Sequence, residues 1–117
     1  IINKKGKVVK KLFLIMSLLV MVGCKGEVKK TDIAISTAQC GMCANTISHT
    51  LKSVDGVKKV KVDLATKVAT VIFDPTVVQV ENLESAISNA GYQANETSAN
   101  AEVYKNLPGC CKLPVDR

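Results

Sequence analysis

A chain of 117 residues holds one small domain, and a composition 47% hydrophobic with two Tyr, two Phe and no Trp suits a compact unit rather than a large enzyme. The formal charge of +6 invites a nucleic-acid partner until it is located: Lys4, Lys5, Lys7, Lys10 and Lys11 lie in the first 23 residues, which hold no acid. Sixteen basic residues less these five leave 11 against 10 acidic ones, a net +1, and nucleic acid loses its main support as a partner.

The leading stretch reads NKKGKVVKK and then LFLIMSLLVMVGC, a charged region followed by an apolar run from Leu12 to Val22 broken only by Ser17. That run is too short to span a bilayer, which takes about 20 residues, and has the length of a signal-peptide core. Its end, Met21-Val22-Gly23-Cys24, resembles the lipobox of bacterial lipoproteins, in which cleavage before the cysteine leaves that residue lipidated. Residues 1–23 are therefore read as a lipoprotein-type signal peptide, Cys24 as a membrane tether, and residues 24–31, polar and short, as a linker. The expected location is the bacterial cell envelope, as a periplasm-facing lipoprotein, where thiols oxidise unless bound or kept reduced.

From Thr31 onward β-type and helical periods alternate. Asp32 to Ser36 sets Ile33 and Ile35 on one face; Lys58 to Leu64 does so with Val60, Val62 and Leu64; Val68 to Phe73 is a third, more apolar strand, joined to the second by a hairpin at Ala65-Thr66-Lys67. A first helix, from about Cys43 to Val54, carries the stripe Ala44, Ile47, Leu51, Val54 and stops at Gly56. A second, from about Val77 to Ala90, carries Val80, Leu83, Ile87, Ala90, stops at Gly91, and has Thr76 and Gln79 as a capping box. The two stripes share one spacing at a constant offset of 36 residues, and the same shift carries Ile33 and Ile35 onto Ala69 and Val71. The chain thus doubles a β-α-β unit. The predicted fold is α+β, a ferredoxin-like β-α-β-β-α-β sandwich spanning residues 32–96, with a four-stranded antiparallel sheet, its last strand around Tyr92 to Glu96, and two helices on one face.

The repeat isolates what its halves do not share. The first strand-to-helix loop reads TAQCGMCAN, whereas its counterpart, Phe73-Asp74-Pro75-Thr76, has no cysteine. Cys40 in the loop and Cys43 in the first helical turn put two sulfurs within reach of one ion. The helix N-terminus, with its unpaired N–H groups and partial positive charge, favours the thiolate that binds metal. Two thiolates at an exposed helix start suit a soft ion such as Cu(I) or Hg(II), whereas a closed structural zinc site takes four ligands. The only histidine, His49, falls roughly opposite the apolar stripe and should face solvent.

Through TAQCGMCANTISHTL, VDGVKKVKVDLATKVATVIFDP and AISNAGY, the chain resembles the heavy-metal-associated domain family of copper chaperones, metal-transporting P-type ATPase modules and the periplasmic mercury-binding protein. The resemblance implies that Cys40 and Cys43 bind one soft metal ion and pass it on by ligand exchange. It also implies a metal-transporting membrane protein, such as a P-type ATPase, as partner. The family's loop methionine would fall at Ala38. Met42 lies between the cysteines instead, as loop packing or a weak thioether aid to Cu(I). Tyr92 stands where bacterial members often carry an aromatic near the metal loop, with an ordinary core or surface tyrosine as the alternative.

Beyond the domain, residues 97–117 form a tail in which Ser98 to Asn106 could be a short helix before Leu107-Pro108-Gly109-Cys110-Cys111. Folded back, Cys110 or Cys111 would supply a third or fourth thiolate; otherwise the pair is a free end. The function expected is that of a lipid-anchored, extracytoplasmic metal-binding protein, not an enzyme. Its ion is Cu(I) first and Hg(II) second, with Zn(II) or Cd(II) as further candidates. A thiol-disulfide oxidoreductase using Cys40 and Cys43 is the competing reading, and the β-α-β-β-α-β order is not that of thioredoxin.

Overall fold

The computed structural model describes residues 27–117; the expected signal peptide and Cys24 lie outside the described residues. Three strands form one antiparallel sheet in the order β1-β3-β2: β1 is Lys29–Ala34, β2 Val57–Asp63 and β3 Val68–Phe73. The strand β1 begins at Lys29, inside the stretch expected to be linker. Helix α1 spans Gly41–Lys52 and α2 spans Val80–Asn89. A short helix α3, Ala101–Lys105, and two 3-10 turns, Gly109–Cys111 and Pro114–Asp116, follow.

The repeat of apolar positions is the core. Ile33 and Ile35 from the β1 side, Ala69, Val71 and Phe73 from β3, Ile47 and Leu51 from α1, and Leu83 and Ile87 from α2 are all buried in one cluster. The alternation along β3 sends every second side chain to the helices, while the other face keeps Asp32, Lys59 and Lys61 in water. His49 is exposed, as its position on the helix dictates. The second helix ends directly before Gly91, at φ +99°, and the loop that follows the first turns into β2 at Gly56, φ +91°, a conformation that residues with a Cβ rarely adopt.

Two details depart from expectation. Among the described residues the sheet has three strands, because the stretch assigned to the fourth folds instead into a tight turn. Ala94 and Thr97 exchange backbone hydrogen bonds of 2.9 and 2.8 Å, and Asn95 between them takes φ +51°. Asn95 nevertheless docks on the end of β1. Its N–H donates to the Ala34 carbonyl at 2.8 Å and its Oδ1 accepts from the Ala34 N–H at 2.8 Å, so one side chain does part of a strand's work. The predicted cap of α2 is also shifted. Thr76 bonds back to Asp74 through both N–H and hydroxyl, at 2.9 and 2.6 Å, leaving the helix to start at Val80, where Asn82 Oδ1 accepts from the Gln79 N–H at 3.0 Å.

Candidate metal centre

The loop between β1 and α1 is held from beneath before any sulfur is considered. The Ile35 N–H donates to the Lys67 carbonyl at 2.9 Å and the Ala38 N–H to the Ile35 carbonyl at 3.0 Å. The Lys67 ammonium donates to the Ala38 carbonyl. Lys67 reaches this point because it sits at φ +56° in the β2-β3 hairpin, whose turn is fixed by Asp63 Oδ1 accepting from the N–H groups of Ala65 and Thr66. Nothing in the sequence pattern marked this lysine; only the hairpin's fold-over brings it to the loop. Ala38 is fully buried, so the position at which the family resemblance places a methionine is a core position here, filled by a smaller side chain.

Cys40 is the N-cap of α1, with φ −147° and ψ 174°, and Cys43 stands in the first turn, its side chain buried. Their sulfurs lie 3.5 Å apart. The extended backbone at Cys40 aims its side chain across the helix start, where the Cys43 N–H has no intrahelical partner. That N–H is the largest of the influences holding the Cys40 thiol down to about 6, followed by the neighbouring Cys43 thiol. Cys40 is therefore largely thiolate at neutral pH, ready to ligate or attack.

The tail does fold back. Asn100 caps α3, its Oδ1 accepting from Glu102 and Val103 N–H at 3.1 and 3.2 Å, and its own N–H donates to the Ser88 carbonyl at 2.9 Å, which ties the tail to the end of α2. Val103 and Leu107 then pack over Gly91, where an added Cβ would stand 3.2 Å from each. Beyond the Pro108 corner, the Cys111 N–H donates to the Pro108 carbonyl at 2.8 Å, and Arg117 Nε donates to the Gly109 carbonyl at 3.1 Å. The result sets the Cys111 sulfur 4.0 Å from that of Cys40 and 3.9 Å from that of Cys110. The sulfurs of Cys40, Cys110 and Cys111 all lie within 4.8 Å of one another. Cys110 is exposed and Cys111 is buried, and that burial, more than the adjoining Cys43 thiol, pushes the Cys111 thiol up to about 12.

Of the places the sequence left open for Tyr92, the structure gives it the core one. It is 1% exposed, and burial is the main reason its ionisation is pushed well above the usual phenol range, with the thiols of Cys111 and Cys43 as lesser causes. The Gln93 N–H donates to Thr37 Oγ1 at 3.0 Å, which registers the Tyr92 segment against the cysteine loop. Met42 points the other way: it is 53% exposed, and its carbonyl accepts from Thr46 Oγ1 at 2.9 Å. All four cysteines of the described residues are free thiols, so the arrangement offers sulfur donors with few competing ligand types, the donor set that thiophilic ions select.

Residues 32–93 match the heavy-metal-associated domain model, more than half of the chain. The chain belongs to the heavy-metal-associated domain family. It is 36% identical over 84 residues to the mercuric transport protein periplasmic component of Shewanella putrefaciens, covering 70% of this chain and 92% of that protein. It is 34% identical over 74 residues to the human copper-transporting ATPase 2, covering 63% of this chain but only 5% of the ATPase. Among solved structures, oxidised MerP from Ralstonia metallidurans superposes with a TM-score of 0.57 at 29% identity, over 59% of this chain and 96% of that one. As a heavy-metal-associated domain the chain is a heavy-metal-binding module of ferredoxin-like fold.

Proposed function

We propose that this protein is a lipid-anchored extracytoplasmic metal carrier that binds one soft ion, Cu(I) ahead of Hg(II), through Cys40 and Cys43 and hands it to a metal-transporting membrane protein. The observation that carries this reading is the pair itself: two sulfurs 3.5 Å apart at a helix start, one a ready thiolate and the other buried behind it. A partly exposed thiolate lets a partner's thiol approach, while the buried one holds the ion in place. Hand-over is then ligand exchange. A partner thiolate forms a sulfur–metal bond as Cys40 or Cys43 gives one up; the released thiolate takes a proton, and the ion keeps its oxidation state. On this reading the hydroxyl of the buried Tyr92 offers a donor to sulfur from the dry side of the site once the ion is bound. The segment Met21-Val22-Gly23-Cys24 supports the lipid anchor.

The test is retention of metal by reduced protein under anaerobic conditions. Cu(I) or Hg(II) is offered in slight excess, free ion is removed by gel filtration, and the bound ion is counted by elemental analysis. One ion per chain is expected to remain with the wild type and none with the Cys40→Ser, Cys43→Ser double variant. Equal retention by the two proteins would overturn the assignment.

A further inference from the structure

The tail cysteines have no counterpart in the repeat, yet the chain builds a specific support for them. The capped helix α3, the pocket over Gly91, the Pro108 corner and the Arg117 bond to Gly109 each fix a part of the segment that carries them. What that support achieves is a sulfur triangle that shares Cys40 with the Cys40/Cys43 pair. Three sulfurs bound to one ion at about 2.3 Å would be about 3.8 Å apart in a tetrahedral site with one open position and about 4.0 Å apart in a trigonal plane. The observed separations are 4.0 Å for Cys40 to Cys111 and 3.9 Å for Cys110 to Cys111, with the third within 4.8 Å. Free thiols with no reason to converge would not sit at these distances on a segment more than 60 residues away in the chain.

We propose that Cys40, Cys110 and Cys111 form a second, overlapping site of three thiolates that holds a soft divalent ion of the Zn(II) or Cd(II) type. Cys40 is the residue both sites share. The inference rests on the reading of Cys40 as a soft-metal ligand, and extends it to a distinct ion class. Two thiolates satisfy an ion content with low coordination; a divalent ion of larger coordination number needs the tail. A site of three protein ligands leaves one position open for water or an incoming ligand. Cys110, exposed at the rim, is the sulfur an arriving ion meets first, and Cys111, buried, is the one that holds it. Each thiol that ligates gives its proton to solvent, and no electron moves.

The experiment uses Cd(II) as probe on the reduced protein, with X-ray absorption counting cadmium–sulfur bonds and chelator competition giving affinity. The wild type should show three sulfurs. The Cys110→Ser, Cys111→Ala variant, in which alanine keeps an apolar group at the buried position, should fall to the two of Cys40 and Cys43 and weaken Cd(II) on the order of tenfold or more. Cys110→Ser alone, an exposed change that leaves the core untouched, should lose the third sulfur as well. Cys43→Ser should keep three. An unchanged sulfur count and Cd(II) affinity in the tail variants, or a sulfur lost in Cys43→Ser, would overturn this site. Cu(I) retention by the tail double variant separates the two readings. If Cu(I) is kept while Cd(II) coordination does not depend on the tail, only the second site fails; if the wild type itself retains no Cu(I), the carrier reading fails.

Discussion

Cys40 and Cys43 are one helical turn apart and chemically unlike, because one faces water at the helix start and the other faces the core. The difference makes a prediction for the metal-free, reduced protein. Iodoacetamide should label Cys40 first, with a rate that stays high from neutral pH down toward 6 and falls below it, as the thiolate takes a proton. Cys111, buried and pushed up to about 12, should remain unlabelled across the same range; peptide mass spectrometry after timed quenching reads both. Ala38 carries a second prediction at this scale. It is fully buried beneath the loop, so Ala38→Met adds volume to a closed site and should destabilise the fold by about 1–3 kcal/mol in urea titration. The cysteine pair was legible in the sequence, because the repeat showed a loop with thiols beside an otherwise matching loop without them. The Lys67 contact was not, since a lysine in a hairpin gives no sign of which distant carbonyl it will reach. The place of Tyr92 was visible only through family resemblance, for a tyrosine after a helix-ending glycine fits a core position equally well.

At the scale of elements, the 36-residue repeat fixed the order of the strands and helices and the residues that form the core, and burial follows it at Ile33, Ala69, Ile47 and Leu83. The fourth strand was misread because its β-type residues are interrupted by Asn95, whose left-handed backbone and side-chain hydrogen bond turn the chain where a strand would run straight. Asn95→Ala removes the acceptor that satisfies the Ala34 N–H and puts alanine at a left-handed φ that asparagine tolerates better. The expected loss is about 1–3 kcal/mol in chemical denaturation, with no change in the sulfur cluster. Gly91 links two elements. Its φ of +99° ends α2, and its missing Cβ makes room for Val103 and Leu107 of the tail. Gly91→Ala should therefore lower stability by about 1–2 kcal/mol and, unlike Asn95→Ala, speed alkylation of Cys111 as the tail loosens. The short helix after Ser98 was legible from its composition, but not its docking, which depends on the Ser88 and Gly91 surface at the far end of α2.

For the whole molecule, the proposed function divides the chain into a charged start, a tether at Cys24 and a metal-binding domain. The net +6 sits largely in the first 23 residues, and the remainder of the chain is close to neutral, with a net +1. Among the described residues, no helix is long and apolar enough to cross a membrane, and the proposed function assigns attachment to Cys24. Cys24→Ser should move the protein from the membrane to the soluble fraction and abolish labelling by radioactive palmitate, while leaving metal binding intact. The central claim, a soft ion held by Cys40 and Cys43 and released by thiolate exchange, is tested most directly by the rate at which Cu(I)-loaded protein yields its ion to a dithiol competitor under anaerobic conditions. The rate is expected to rise in proportion to competitor concentration, because the incoming thiolate takes part in breaking the bond. A rate independent of competitor, or a Cys40→Ser, Cys43→Ser variant that loads and unloads like the wild type, would contradict it.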